Sequence, residues 1–505
     1  MRTPSSPART LLGLGAVAVL SACGSTVQTT STVLVPGLTG TNGLGGTTGA
    51  GTTGATGGFP AVSGSTGAIA APAAALPSTA TTSLGTTGAL NVPSTGLAAD
   101  APVKVGVILT NISSAADYGF STGETLSEQD IDQALFNALN KQGGLAGHKI
   151  QAVYAKTDPN STNWSTDFRA VCSLFTEDNH VQAVLGYQFT YDQGLEACLT
   201  RHGIPHLETG FNVPDAVELR QHPLHRALAV PTIDSRSLVK LEGAIADGVL
   251  TPKSRLGVVI DSCPGTERSW KTVAQPYLTA HHIDVAFFTQ GSCSNGSADG
   301  ASAAQGVPGA LLKARQAGVD TLAFLTVSEG PVLAVLAPAA EAQAWHPTYL
   351  VSSLANLSTL EAQGSSTVPP DQLANVKGYG WMPSQDLGEG EQPPRTTSQL
   401  RCLALLRSQG VVPAQVGDRN NAFRICDATF AYELALQHDH GDLLGTSVIR
   451  SLDSLGTAFN DPDVLDGATL LETARANNTP AHYRSVVWDP ASQHFVYRGP
   501  TRAMP

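Results

Sequence analysis

The chain has 505 residues and a formal net charge of −12 at neutral pH. A negative balance of this size argues against nucleic acid or an anionic membrane surface as a partner, because both would repel it. Beyond the N-terminal region, no apolar run approaches the roughly 20 residues that cross a bilayer. About 400 residues follow the first hundred, which suits two folded lobes rather than one small core.

The N-terminus has the three parts of a secretory signal peptide. Arg2 and Arg9 come first, an apolar run occupies residues 11–20, and small residues precede Cys23. The Leu-Ser-Ala-Cys tetrad that ends at Cys23 resembles a bacterial lipobox, in which the cysteine is acylated. An ordinary signal peptide with a chance cysteine is the alternative. We expect residues 1–22 to be removed and lipid on Cys23 to hold the protein at the extracytoplasmic face of a bacterial cell membrane.

A long segment without charge follows the lipobox. Residues 24–99 contain no Asp, Glu, Lys or Arg, and Gly, Thr, Ser, Ala and Pro dominate them. Such a segment has few large apolar groups whose burial could offset the entropy of ordering. A Gly-rich coil of this length has a root-mean-square reach of roughly 45–50 Å. We therefore assign residues 23–100 to a disordered tether that separates the folded part from the membrane.

From residue 103 onward, apolar runs alternate with segments of helical periodicity. Predicted strands cover residues 103–109, 149–154, 181–185, 255–260, 285–289 and 321–325. Predicted helices cover residues 128–140, 164–177, 193–202, 235–248, 266–281 and 307–318. This alternation predicts an α/β fold with parallel sheets covered by helices on both faces. Two such series predict two lobes, whose ligand binds beyond the carboxyl ends of the strands.

The cysteines indicate disulfide bonds. Six of the seven follow Cys23, and an even number in an exported domain favours pairing. Their spacing in three close couples favours bonds between neighbours in sequence. The predicted bonds are Cys172–Cys198, Cys263–Cys293 and Cys402–Cys426. A metal site has less support, because no Cys-x-x-Cys pair is present, and we predict neither a metal nor a cofactor.

Residues 140–150 read Asn-Lys-Gln-Gly-Gly-Leu-Ala-Gly-His-Lys-Ile. This segment resembles the Asn-x-x-Gly-Gly-apolar-x-Gly turn between the first helix and second strand of the leucine/isoleucine/valine-binding protein family. Other pieces in register are Tyr118-Gly119, Val184-Leu185-Gly186, Gly203-Ile204-Pro205 and Val376-Lys377-Gly378. The family consists of type I periplasmic solute-binding proteins of ABC importers. The resemblance implies a hinged two-lobe fold with three crossovers.

The resemblance also implies lobe boundaries and a function. Lobe one would comprise residues 101–231 and 376–450, and lobe two residues 232–375 and 451–505. The protein would capture a small polar ligand, amino-acid-like or related, and pass it to an ABC permease in the membrane. It would not be an enzyme and would not bind nucleic acid. The alternative is a cell-envelope sensor or adaptor lipoprotein with the same fold and no transport role.

Three ligand-binding residues of lobe one follow from the resemblance. In the family, a serine hydroxyl and backbone groups hold the ligand's carboxylate, and Thr190 keeps a hydroxyl at that place. Asn212 stands where a threonine is usual. Tyr118 keeps an aromatic wall beside the ligand.

Lobe two departs from the family pattern. The acidic residue that pairs with an amino acid's ammonium falls at about Ser353 in this sequence. A buried ammonium without a counter-charge is costly, so the usual amino-acid ligand is in doubt. Asp261 or Glu329 could supply the missing charge; the alternative is that each is a solvated loop carboxylate.

One motif suggests catalysis. Residues 119–123 read Gly-Phe-Ser-Thr-Gly and match a nucleophile elbow centred on Ser121. That elbow requires a strand running straight into the turn, whereas a polar stretch separates Ser121 from the predicted strand end at residue 109. A glycine-rich ligand loop explains the motif more simply.

Overall fold

A computed structural model describes the greater part of the chain. The described residues are 97–98, 101–110, 124–158, 161, 163–186, 193–210, 214–293, 307–327, 329–363, 368–472 and 477–505. All of them belong to one compact unit. The predictions for the signal peptide, the tether, Cys23, Tyr118, Ser121, Thr190 and Asn212 lie outside them. No helix in the described ranges is both long and apolar enough to cross a membrane.

The first sheet has five parallel strands. They are β1 (Val103–Thr110), β2 (Ile150–Thr157), β3 (Ala183–Gly186), β4 (His206–Glu208) and β5 (His225–Ala227). Their order in the sheet is β2-β1-β3-β4-β5. The connecting helices are α1 (Glu128–Lys141), α2 (Trp164–Ser173), α3 (Gln193–Arg201) and α4 (Ala216–Gln221). The predicted strands and helices of this half are confirmed, with α2 continuing as one π-helical turn at Leu174–Asp178.

The second sheet has seven strands. The remaining strands within the described residues are β6 (Arg255–Asp261), β7 (Asp284–Gly291), β8 (Thr321–Leu325), β9 (Thr348–Ser352), β10 (Val376–Gly380), β11 (Thr469–Glu472), β12 (Asn477–Pro480), β13 (His482–Asp489) and β14 (His494–Ala503). The order is β14-β13-β10-β9-β8-β6-β7, while β11 and β12 form a separate pair. Strands β6 to β10 are parallel, and β13 is antiparallel to both of its neighbours.

Eleven further helices with described bounds cover the sheets and their connections. They are α5 (Ile233–Ala246), α6 (Pro264–Ser269), α7 (Gln275–Ala280), α8 (Val307–Gln316), α9 (Glu329–Glu341), α10 (Leu357–Gln363), α11 (Pro370–Leu373), α12 (Pro383–Asp386), α13 (Thr397–Arg407), α14 (Val416–His438) and α15 (Gly445–Leu455). The last three lie far along the chain but pack against the first sheet, where Leu406, Tyr432 and Val448 share a core with Val105 and Leu207. The chain therefore crosses between the two lobes three times, after β5, after β10 and after α15.

One predicted boundary is wrong. Strand β10 pairs with β9 on one side and with β13 on the other, so Val376–Gly380 lies in lobe two and not in lobe one. Val376 and Tyr379 are buried there, in the cores of the second lobe. The chain stays packed against that lobe beyond β10, because Trp381 and Leu387 also belong to its cores. Helix α15, which packs in lobe one, continues to Leu455, past the predicted end at residue 450.

The three predicted disulfide bonds are confirmed. They join Cys172 to Cys198, Cys263 to Cys293 and Cys402 to Cys426, with Cα–Cα distances of 6.4, 4.6 and 5.9 Å. The first links α2 to α3 and the last links α13 to α14, both in lobe one. The second joins the chain beyond β6 to the chain beyond β7, at the carboxyl edge of the second sheet. Each bond restricts the unfolded chain and contributes about 2–4 kcal/mol.

Trp381 lies where the three crossings meet. Its side chain is fully buried, and its indole Nε1–H donates to the carbonyl oxygen of Ala229 in the first crossing at 2.9 Å. Its own carbonyl accepts from the backbone N–H of Leu465 in the third crossing at 2.6 Å. Its backbone N–H donates to Ser353 Oγ at 2.8 Å. One residue thus connects all three segments that join the lobes.

Candidate functional site

The fold places the candidate site between the two lobes. In open α/β sheets, ligands bind beyond the carboxyl ends of the strands. In lobe one these ends include Gly186 of β3 and Glu208 of β4, and in lobe two they include Asp261 of β6, Leu325 of β8 and Ser352 of β9. The helices that follow these strands begin at the same edges. The fold rule therefore places the ligand cleft between these two sets of strand ends.

An ion pair connects the lobes across this cleft. Arg268 on α6 of lobe two contacts two carboxylates at the start of α4 in lobe one. Its Nε donates to Asp215 Oδ2 at 2.5 Å, and its Nη2 donates to Glu218 Oε1 at 2.7 Å. Asp215 also caps α4 by accepting from the backbone N–H of Glu218 at 2.8 Å. A Cβ atom built on Gly265 would lie 3.4 Å from Glu218 Oε2, so the two helices touch.

Asp261 lies at this edge, as predicted, but the backbone surrounds it. Its carboxylate accepts from the backbone N–H of Val327 at 2.8 Å and from that of Cys263 at 3.1 Å. Burial raises the pKa of Asp261, and these hydrogen bonds oppose the shift. The side chain therefore ties the loop after β6 to the loop after β8. Only 6% of Asp261 is exposed.

Glu329 is the first residue of α9 and is fully buried. Its Oε1 accepts from Lys240 Nζ on α5, and its Oε2 accepts from the backbone N–H and Oγ of Ser352 at 2.5 and 2.9 Å. Burial lowers the pKa of Lys240 to about 8 against the opposing pull of Glu329. Glu329 is therefore not a solvated loop carboxylate, because it is buried and has a counter-ion inside lobe two.

Ser353 also has its partners inside the protein. Its hydroxyl donates to Asp386 Oδ2 at 3.1 Å and accepts from the backbone N–H groups of Trp381 and Met382 at 2.8 and 3.1 Å. Ser353 is fully buried. The hydroxyl at the place of the family's acidic residue therefore supports the crossing after β10.

Sequence reasoning missed Arg236, a buried cation on the first turn of α5. Its Nη2 donates to the carbonyl oxygen of Thr326, just beyond β8, at 3.0 Å. Its Nε lies 3.9 Å from Glu329 Oε1, which exceeds hydrogen-bond distance. Within the described residues, Arg236 Nε and Nη1 have no hydrogen-bond acceptor. The spacing of Arg236 and Lys240, one helical turn apart on the predicted helix at residues 235–248, was the available signal.

Comparisons with solved structures identify the fold. A solute-binding protein of an ABC transporter from Rhodopseudomonas palustris, solved with 4-hydroxybenzoate, aligns with 80% of this chain and 98% of its own at a TM-score of 0.58 and 14% identity. The chain has the type I periplasmic-binding-protein fold. This two-lobe α/β fold confirms the predicted fold class and the predicted resemblance in structure to type I periplasmic binding proteins. No family model and no curated protein matches the sequence.

Two further proteins share this periplasmic-binding-protein fold. A leucine-binding protein from Thermotoga maritima aligns with 79% of this chain and 98% of its own, at a TM-score of 0.55 and 11% identity. A substrate-binding protein of a fatty acid ABC transporter from Thermomonospora curvata aligns with 80% of this chain and 92% of its own, at a TM-score of 0.54 and 14% identity. All three similar proteins are named for binding rather than for catalysis.

Proposed function

We propose that this protein is a lipid-anchored solute-binding protein that closes its lobes on a small carboxylate and delivers it to an ABC permease. The observation that carries the proposal is the contact of Arg268 with Asp215 and Glu218, which joins the lobes across the cleft where the fold binds ligands. Closure of two lobes around a ligand is a common mode of domain movement.

The ligand class rests on charge. The similar proteins are named for 4-hydroxybenzoate, leucine and fatty acids, all of which carry a carboxylate. In this chain, Arg236 offers two buried donors without an acceptor among the described residues, and a guanidinium matches a carboxylate in shape and charge. Glu329 is occupied by Lys240. We therefore favour carboxylic acids without an ammonium group over α-amino acids.

We expect carboxylic acids to raise the melting temperature of the protein in a thermal-shift screen, because a ligand that binds only the folded state stabilises it. Benzoate, 4-hydroxybenzoate and medium-chain fatty acids should give larger shifts than leucine, and benzamide should give none because it has no charge. A shift with leucine and none with the acids would contradict the assigned ligand class.

Calorimetry with the best acid then tests the site. Thr190→Ala and Tyr118→Ala should weaken binding roughly 5–150-fold, which corresponds to losing a buried contact worth about 1–3 kcal/mol. Asn212→Ala should act in the same direction. Thr279→Ala, at an exposed position on α7, is the matched control and should bind like the parent. Parent-like affinity in Thr190→Ala and Tyr118→Ala would refute the lobe-one assignment.

The lipid anchor has its own test. Cys23→Ser should move the protein from the detergent-rich to the aqueous phase in detergent partitioning, because no other segment is proposed to hold it at the membrane. Ser25→Ala, two residues later, should partition like the parent. Retention of Cys23→Ser in the detergent phase would rule out the lipobox.

A sensor or adaptor lipoprotein is the second candidate. The uncharged segment at residues 24–99 favours it, because a tether of this length is not needed to reach a permease in the same membrane. Neighbouring genes for a permease and an ATPase would favour import, and their absence would favour the sensor.

A further inference from the structure

A buried cluster of histidines and glutamates lies in lobe one, outside the cleft contacts. His206 on β4 and His225 on β5 are register partners on adjacent parallel strands, so their side chains share one face of the sheet. Glu208 follows His206 by two residues and points to the same face. Glu196 comes from α3. Each of the four side chains is at most 1% exposed.

Both rings direct a nitrogen at one carboxylate. His206 Nδ1 lies 2.8 Å from Glu196 Oε1, and His225 Nδ1 lies 3.8 Å from Glu196 Oε2. One ligand atom from each of these three residues lies within 4.8 Å of the other two. The rings are stacked, with centroids 5.2 Å apart and planes at 18°. Three potential metal ligands therefore converge on one point.

Glu208, the fourth residue of the cluster, is placed to orient the ring of His225. Glu208 Oε2 lies 2.8 Å from His225 Nε2. Histidines that bind metals usually donate their other ring nitrogen to a carboxylate or carbonyl, which fixes the tautomer and orients the ring. With its proton on Nε2, His225 presents a lone pair on Nδ1, beside Glu196. Glu208 thus selects the tautomer that a metal requires.

The charge of the cluster points to a cation. Two carboxylates lie buried with two imidazoles, and a buried carboxylate without compensation is costly. A divalent ion would balance two carboxylates and leave both rings neutral. Within the described residues, Glu208 Oε1 and His206 Nε2 also have no hydrogen-bond partner.

We propose that Glu196, His206 and His225 bind a divalent transition-metal ion, with Glu208 orienting His225. Two imidazoles and a carboxylate suit zinc, whose bonds to nitrogen and carboxylate oxygen measure roughly 2.0–2.2 Å. The ion would join β4, β5 and α3. Because the site is closed to solvent, its role is structural rather than catalytic.

Burial determines how the site must be loaded. An ion cannot reach side chains that are at most 1% exposed without local opening, so it enters as the lobe folds. The test is to unfold the mature protein in guanidinium with its disulfides intact, and to refold it with Zn²⁺ or with a chelator. We expect about one tightly held Zn²⁺ per chain after dialysis, and a higher melting temperature than for the chelator-treated protein.

Two variants locate the ion. Glu196→Gln keeps the size and hydrogen-bonding capacity of the side chain, removes its charge, and should reduce the bound zinc at least tenfold. Glu341→Gln is the matched control, because Glu341, His346 and Asp371 form a second, more exposed group with suitable spacing. It should leave the zinc content unchanged. Equal zinc in Glu196→Gln, or loss of zinc in Glu341→Gln, would overturn the proposal.

Cobalt gives a readout that does not depend on the folding of a variant. The parent refolded with Co²⁺ should show visible d–d absorption of a low-coordinate site with nitrogen ligands, and His206→Ala should lose it. A parent that retains neither zinc nor cobalt after refolding would show that the four side chains form a proton-sharing network without metal, and the proposal would be wrong.

Discussion

Lys240→Met destabilises the protein by about 3–5 kcal/mol, because it leaves Glu329 as an unpaired charge inside lobe two. Both side chains of the pair are fully buried. The ammonium of Lys240 also donates to the carbonyl oxygen of Phe324, so the substitution removes two interactions. Arg236 is too far to replace the lost partner, with its Nε 3.9 Å from Glu329 Oε1. Guanidinium unfolding followed by circular dichroism measures the loss.

A surface pair in the same lobe provides the control. Lys271 and Glu267 are separated by 3.5 Å, and the lysine side chain is 67% exposed. Lys271→Met should cost far less than Lys240→Met, because solvent screens an exposed pair. The double variant Lys240→Met with Glu329→Gln should recover part of the loss, since the unpaired charge is gone. Equal costs for Lys240→Met and Lys271→Met would show that the buried pair contributes no more than a surface pair.

The strands and helices of this fold can be predicted from the sequence because their patterns lie within short segments of the chain. Buried parallel strands are largely apolar runs, such as residues 103–109 and 321–325. Predicting them does not require knowing which distant strand each one pairs with. The disulfides follow the same logic, because each joins neighbouring cysteines. Strand β10 shows the limit: the resemblance covers Val376-Lys377-Gly378, but the local sequence does not say which sheet this segment joins. That depends on pairing with β13, more than a hundred positions later.

The chemistry of the site depends on contacts that are distant in sequence. Glu329 is a plausible loop carboxylate from its neighbours alone, and only the folded chain brings Lys240 to it. Arg268 meets Asp215 because two lobes close on each other. His206 and His225 meet because β4 and β5 pair in a particular register. A single sequence carries no local signal for any of these pairs.

Trp381→Ala should destabilise the protein by about 3–5 kcal/mol, as expected for the loss of a large side chain from a packed core. Trp381→Phe is more informative, because it keeps most of the volume and removes the indole donor to Ala229. Ala229 has a positive φ of 58°, which is uncommon for a residue other than glycine. Its buried carbonyl would lose its donor, which costs about 1–3 kcal/mol.

Trp345→Phe is the matched control for the prediction on Trp381. Trp345 is partly buried in lobe two, away from the crossings, so the same substitution should cost less than Trp381→Phe. Hydrogen exchange adds a local readout, because the backbone N–H of Leu465 donates to the Trp381 carbonyl. Faster exchange at Leu465 in Trp381→Phe, with unchanged exchange in β1 and β8, would show that the crossings loosen while both lobes stay folded. If Trp381→Phe is as stable as the parent and Leu465 exchanges at the same rate, the indole hydrogen bond does not hold the crossings together.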